Sequence, residues 1–172
     1  MEAEPKSAVA ALCTICGLCC NGVLFADVRL QSGDAPERLA QLGLHLEKRG
    51  KTERFCQPCP AFDGKLCGIY AERPTRCRNF ECGVLKRTLA GALSIGAAQK
   101  IIRGMRKQVE RVERLLSELG NADLAEPLTR RYAAVMAQPW DLSGDAGMTR
   151  KRSELMLAMN ELMEAAQQEF LS

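Results

Sequence analysis

Two kinds of patterning divide the chain. From about residue 91 onward, apolar side chains recur at helical spacing. Ile101, Ile102, Met105, Val109, Val112, Leu115, Leu116 and Leu119 form one stripe, which predicts a long amphipathic helix. Ser94 is placed to cap it, and Gly120-Asn121 to end it. Leu124, Leu128, Tyr132, Val135 and Met136 predict a second helix, stopped by Pro139. Asp141 to Gly147 reads as a loop. Leu155, Met159, Leu162, Met163, Ala166 and Phe170 mark a last helix. Three such stripes pack most simply on one another or across a dimer. Plain core packing accounts for most of these positions, with Met156, Met159 and Met163 as an alternative, adaptable partner surface.

The first ninety residues lack this regularity. Residues 1–12 are expected to be a loose start. Cys13 to Cys20 is too rich in metal-type residues to read as a core helix. Val23-Leu24-Phe25 and Val28 to Leu30 predict short strands. A helix follows, with Asp34 as N-cap, Pro36 in the first turn and Glu37 three after the cap. Leu39 and Leu42 face inward, and Gly43 stops it. Residues 44–82 hold Gly50, Pro58, Pro60, Gly64, Gly68 and Pro74, so only short strands or single helical turns fit there. The expected fold is α+β and helix-rich: a small irregular cysteine module with short strands over residues 1–90, then a bundle of about three amphipathic helices over 91–172. The bundle would pack on the module or on a partner.

Charge adds little. With 24 Lys+Arg against 21 Asp+Glu the net charge is +3, too small to argue for nucleic acid or an anionic membrane. No apolar run reaches the ~18 residues that a membrane span needs. Cysteine changes the picture: all nine lie between Cys13 and Cys82. Such a cluster means disulfides outside the cell and metal or chemistry inside it. Ala8 to Cys20 has no basic flank to make it a signal segment, because Glu2 and Glu4 offset Lys6. Bulky Leu12 argues against a lipidated Cys13. The chain therefore reads as cytoplasmic, with reduced thiols.

Metal ligation needs soft, deprotonated donors converging on one ion. Cys13-x2-Cys16-x2-Cys19 gives three on one loop. Cys20 follows directly and, pointing the other way in an extended chain, would serve a second metal or a bridge. The rest run Cys56-x2-Cys59-x7-Cys67-x9-Cys77-x4-Cys82. Four from each half would fill two tetrahedral sites, or one larger shared site. Cys77 and Cys82 are expected to lie near the N-terminal cluster, which needs a fourth donor from outside its loop. A redox disulfide system or inert thiols are the weaker readings. Cysteine-only tetrahedra suit zinc, while the Cys-x2-Cys-x2-Cys run and Cys59-Pro60 echo the ligation of a [4Fe–4S] cluster. Arg73, Arg76 and Arg78 bracket Cys77, where they would stabilise thiolate charge or form a solvated basic face.

Taken together, Cys13-x2-Cys16-Gly17-x-Cys19-Cys20, Cys59-Pro60, and Cys67-Gly-Ile-Tyr70-x-x-Arg73-Pro74-x-x-Cys77-Arg78-x-Phe80-x-Cys82 resemble the bacterial CxxCxxCC family. These are the YkgJ-type cysteine-cluster proteins, described as zinc- or iron-chelating. The resemblance spans about residues 13–85. It implies metal binding by Cys13, Cys16, Cys19, Cys20, Cys59, Cys67, Cys77 and Cys82, and leaves Cys56 as an extra cysteine. The same domain occurs in flagellin lysine N-methylases, which implies a link to protein-lysine methylation.

Other chemistry is thin. His45 is the only histidine and reads as a turn or packing residue before a ligand or an acid–base group. There is no phosphate-binding loop or dinucleotide fingerprint. The basic patch lacks the aromatic interleaving of nucleic-acid binders. The expectation is a cytoplasmic metal-binding protein that holds zinc or iron, or an Fe–S cluster, with self-association or a protein partner at the helical region. The alternative is an iron–sulfur-dependent enzyme or enzyme subunit, in redox chemistry or protein-lysine methylation.

Overall fold

A computed structural model describes residues 5–139 and 146–172. The fold is mixed α+β and helix-rich, as expected. Seven α-helices accompany one three-stranded sheet among these residues.

The start of the chain departs from expectation. Pro5–Cys16 is a helix, α1, and not a loose segment running into a metal loop. Ala8 and Leu12 explain it: they stand one helical turn apart, are 1% and 2% exposed, and join the main core. Cys13 and Cys16 therefore ride on the last turn of a core helix. Gly17, at φ +69°, ends it. A Cβ there would stand 2.5 Å from the Phe62 ring, so glycine is required for both conformation and space.

The sheet is small. β1 (Asp27–Arg29), β2 (Leu46–Arg49) and β3 (Thr52–Cys56) pair antiparallel in the order β1-β3-β2. The strand expected at Val23–Phe25 is absent. Phe55 of β3 lies opposite both Val28 and Leu46 and is 1% exposed. It anchors a second, minor core with Val28, Leu39, Leu44 and Cys59. Gly50 takes φ +63° at the first position of the β2–β3 turn, the geometry a two-residue hairpin with leading glycine needs.

Helix α2 spans Pro36–Gln41, with Leu39 buried, and ends before Gly43 at φ +90°. Its N-cap is Ala35, not Asp34. The Asp34 carboxylate instead accepts the Thr75 backbone N–H and hydroxyl, both at 2.7 Å, and the Gln31 N–H at 2.8 Å. Burial pushes that carboxyl up, but these bonds outweigh it and hold it below the ordinary range. Asp34 thus ties the α2 approach to the short helix α3 (Thr75–Asn79).

A helix not expected from sequence, α4 (Gly83–Leu89), buries Gly83, Val84, Leu85 and Thr88. It packs on α1, on α5 (Ile95–Glu118) and on a π-helical turn at Ala166–Phe170. Helix α5 follows its stripe closely: Ile102, Met105, Val109, Val112, Leu115 and Leu116 are buried, and Ser94 Oγ accepts the Ala97 N–H. At its end the Gly120 N–H donates to Ser117 and the Asn121 N–H to Leu116, which is a complete Schellman closure. Helix α6 covers Leu128–Met136, leaving Leu124 outside it and 65% exposed. Of the expected 141–147 loop, residues 141–145 lie outside the described residues, and Ala146 and Gly147 already belong to α7 (Ala146–Ala165). Helix α7 lies along α5 and buries Leu155, Met159 and Leu162, while Met156 and Met163 are exposed. The main core draws on both halves of the chain: α1 and α4 supply Leu12, Val84 and Leu85 beside residues of α5, α6 and α7.

Candidate metal centre

A cavity of about 490 Å³ opens between the main core and the sheet. It is bordered by Cys13, Cys16, Cys19, Cys20, Cys59, Cys67, Cys77 and Cys82. Cys56, at the end of β3, does not border it; the Arg130 guanidinium lies 3.9 Å from its sulfur. His45 is exposed and also apart from it.

Local structure aims these thiols. Cys13 and Cys16 sit three apart on α1 and share a face. After Gly17, the chain turns back so that Cys20 and Asn21 N–H groups both donate to the Gly17 carbonyl. The Cys59 N–H donates to the Cys20 carbonyl at 2.8 Å. Phe62 then bridges to Cys67 as a β-pair, with its N–H on the Cys59 carbonyl. Cys82 is the N-cap of α4.

All nine thiols are free. Burial raises the Cys16 thiol to about 12, with the Cys82 and Cys13 thiols pushing the same way and the Leu18 N–H and Arg106 opposing. Burial raises Cys20 to about 12 as well, reinforced by Cys59, Cys67 and Cys77. Cys77 rises to about 11 through burial, then Cys59 and Cys67. Cys19 lies well above the ordinary range, through burial first and then Cys16 and Cys82. Burial raises Cys13, Cys59 and Cys82 too. These groups are neutral thiols at physiological pH. Among the described residues no three donors are drawn together tightly enough to grip an ion as they stand.

The surroundings fit a thiolate-bound metal. Backbone N–H groups of Leu18 and Ala61 point at the sulfurs two residues before them, Cys16 and Cys59, and those of Val84 and Leu85 at Cys82. Such donors stabilise bound thiolate. Arg29, Lys65, Arg73 and Arg76 border the cavity, against the one acid Asp27, which is paired to Arg54 at 3.0 Å. Arg73 is fixed over the Tyr70 ring, 3.8 Å from its centroid, with Nε on the Tyr70 carbonyl. From there it lowers Cys13, Cys20 and Cys77 against their burial. Arg78, expected with it, is not on the cavity; it donates to Thr75 Oγ1 and faces Asp34. Gln57 was not foreseen. It borders the cavity, is 2% exposed, and its Oε1 is buried without a partner. Its place beside Cys56 and Cys59 was the only sequence signal.

No curated protein and no solved structure matches the chain. A family model does, over residues 12–94, and its description is "Putative zinc- or iron-chelating domain". The match takes in every cysteine that borders the cavity, together with α4. No helix among the described residues is long and apolar enough to cross a membrane. The matching family model is CxxCxxCC, and residues 12–94 are similar to that family.

Proposed function

We propose that this is a cytoplasmic protein that chelates zinc or iron through Cys13, Cys16, Cys19, Cys20, Cys59, Cys67, Cys77 and Cys82. The observation that carries the reading is selective: one cavity gathers these eight thiols and leaves out the ninth. Charge supports it. Eight thiolates around two dications leave four uncompensated negative charges, and four basic side chains border the cavity. The alternative, an iron–sulfur centre serving redox chemistry or protein-lysine methylation, draws on the size of the cavity, which falls in the range of small-molecule sites and exceeds what two bare ions fill.

Anaerobic purification followed by elemental analysis tests both. Colourless protein carrying zinc supports chelation of single ions. Brown protein with iron and acid-labile sulfide supports the cluster. Natively folded protein that takes up neither metal when reduced and supplied with both overturns the proposal.

A further inference from the structure

The eight cavity cysteines are not grouped by their order in the chain. Cys16 and Cys82 pack against the main core. Cys13 shares the Cys16 face of α1, and α4, which begins after Cys82, packs on that same helix. Cys20, Cys59 and Cys77 pack against the minor core instead. Cys59 is bonded through its N–H to Cys20, and Phe62 links the Cys59 carbonyl to Cys67.

Resting on the proposed metal reading, we infer that the cysteines form two interleaved four-sulfur sites, Cys13/Cys16/Cys19/Cys82 and Cys20/Cys59/Cys67/Cys77, that meet at the Cys19–Cys20 peptide. Neighbouring side chains in a turn leave the backbone in different directions, so two consecutive cysteines serve two centres. Each ion displaces thiol protons to solvent, and no electrons move. The first site clamps α1 to α4. The second clamps the turn after α1 to the strand-and-loop region. Filling either one orders the turn that holds a ligand of the other, so loading is cooperative.

Paired Cys→Ser substitutions separate this arrangement from one in chain order, in which Cys13, Cys16, Cys19 and Cys20 form one site and Cys59, Cys67, Cys77 and Cys82 the other. The probe is cobalt(II), titrated into reduced, metal-free full-length protein. Thiolate-to-cobalt absorption reports the sulfurs around each ion. The unsubstituted protein should take two ions with four sulfurs each. C13S/C82S and C20S/C67S each remove two ligands from one site, so each should keep one complete four-sulfur site. C13S/C20S damages both sites and should keep none. Chain order gives the reverse for all three pairs. A four-sulfur spectrum retained by C13S/C20S overturns the interleaving, and so does its loss from both C13S/C82S and C20S/C67S. C82S and C67S guard against poor folding of the pairs, since each alone should keep one site. If the unsubstituted protein binds no cobalt, the metal reading itself fails; if it binds two ions and the pairs behave in reverse, only the interleaving fails.

Discussion

The main core and the minor core solve the same problem with different means. The first joins 22 buried residues from five α-helices, the segments between them and the π-helical turn after α7. The second has five, one of them a cysteine. A buried aliphatic or aromatic side chain contributes about 1.5–3 kcal/mol, while ordering each backbone residue costs about 1–2 kcal/mol. Five such side chains cannot hold a segment running from the turn after α1 to α4. On the proposed metal reading, thiolate–metal bonds supply what the minor core lacks in apolar burial.

The comparison breaks most readily on metal removal. Chelation under reducing conditions should open residues 20–82 to protease and leave most of the helical circular dichroism in place. The lost stabilisation is large, since structural zinc in small domains contributes on the order of 10–16 kcal/mol. Unchanged protection of residues 20–82 after verified metal loss would mean that the two regions are stabilised alike.

Next in size are core truncations. Phe55→Ala should cost about 3–5 kcal/mol and Leu162→Ala about 2–5 kcal/mol. They differ in a second readout: Phe55→Ala should weaken metal retention, because Phe55 packs in the cluster that contains Cys59. Leu162→Ala should lower the melting temperature without changing metal content. Equal metal loss in both would erase the distinction.

A pH series sharpens it further. Cys13 and Cys16 ride on α1, a helix of the main core that should survive metal removal; Cys16 stands at about 12 in the fold, and Cys13 is raised too, against an ordinary 9.0. Raised thiol values favour the neutral form, so their stabilisation of the metal-free fold is complete below about pH 9 and is lost as pH rises toward 12. The metal-loaded protein responds at the other end: acid returns protons to the thiolates and releases the ion. Melting curves of the reduced metal-free protein at pH 8 and pH 10.5 should show the second less stable. An alkaline gain would contradict the burial of these thiols.

The smallest effect expected is at Cys56. Cys56→Ser should keep full metal content and, as a part-exposed change away from the core, shift stability by no more than about 0.5 kcal/mol. In the native metal-loaded protein Cys56 should be the thiol that a thiol-directed reagent labels. Metal loss on this substitution would place a ninth donor in the centre.

Periodicity made the bundle legible. The stripe from Ile102 to Leu116, its Ser94 cap and its Gly120 closure are local features, and the structure has all three. The identity of the cavity-lining cysteines was equally readable, because their spacing matched a family pattern, and Cys56 stood apart from it. Helix α1 was misread because chemistry masked periodicity: Cys13 and Cys16 suggested a loop, though Ala8 and Leu12 already marked a buried stripe. Helix α4 has no side-chain cap, which removed its start signal, although Val84, Leu85 and Thr88 carry the right spacing. The grouping of the thiols could not be read from spacing. It depends on where the Gly17 turn sends Cys19 and Cys20, and on α4 returning Cys82 to α1.

Gly83, at the start of α4, lies tight against the π-helical turn. A Cβ at this position would meet the Glu169 carbonyl oxygen at 2.7 Å and Ser172 Oγ at 2.6 Å, and Arg87 of the same helix pairs with Glu169. The backbone beside Cys82 is thus seated by residues made long after it. A side chain at position 83 would therefore push α4 off the π-helical turn and shift the backbone of Cys82, its N-cap, with it.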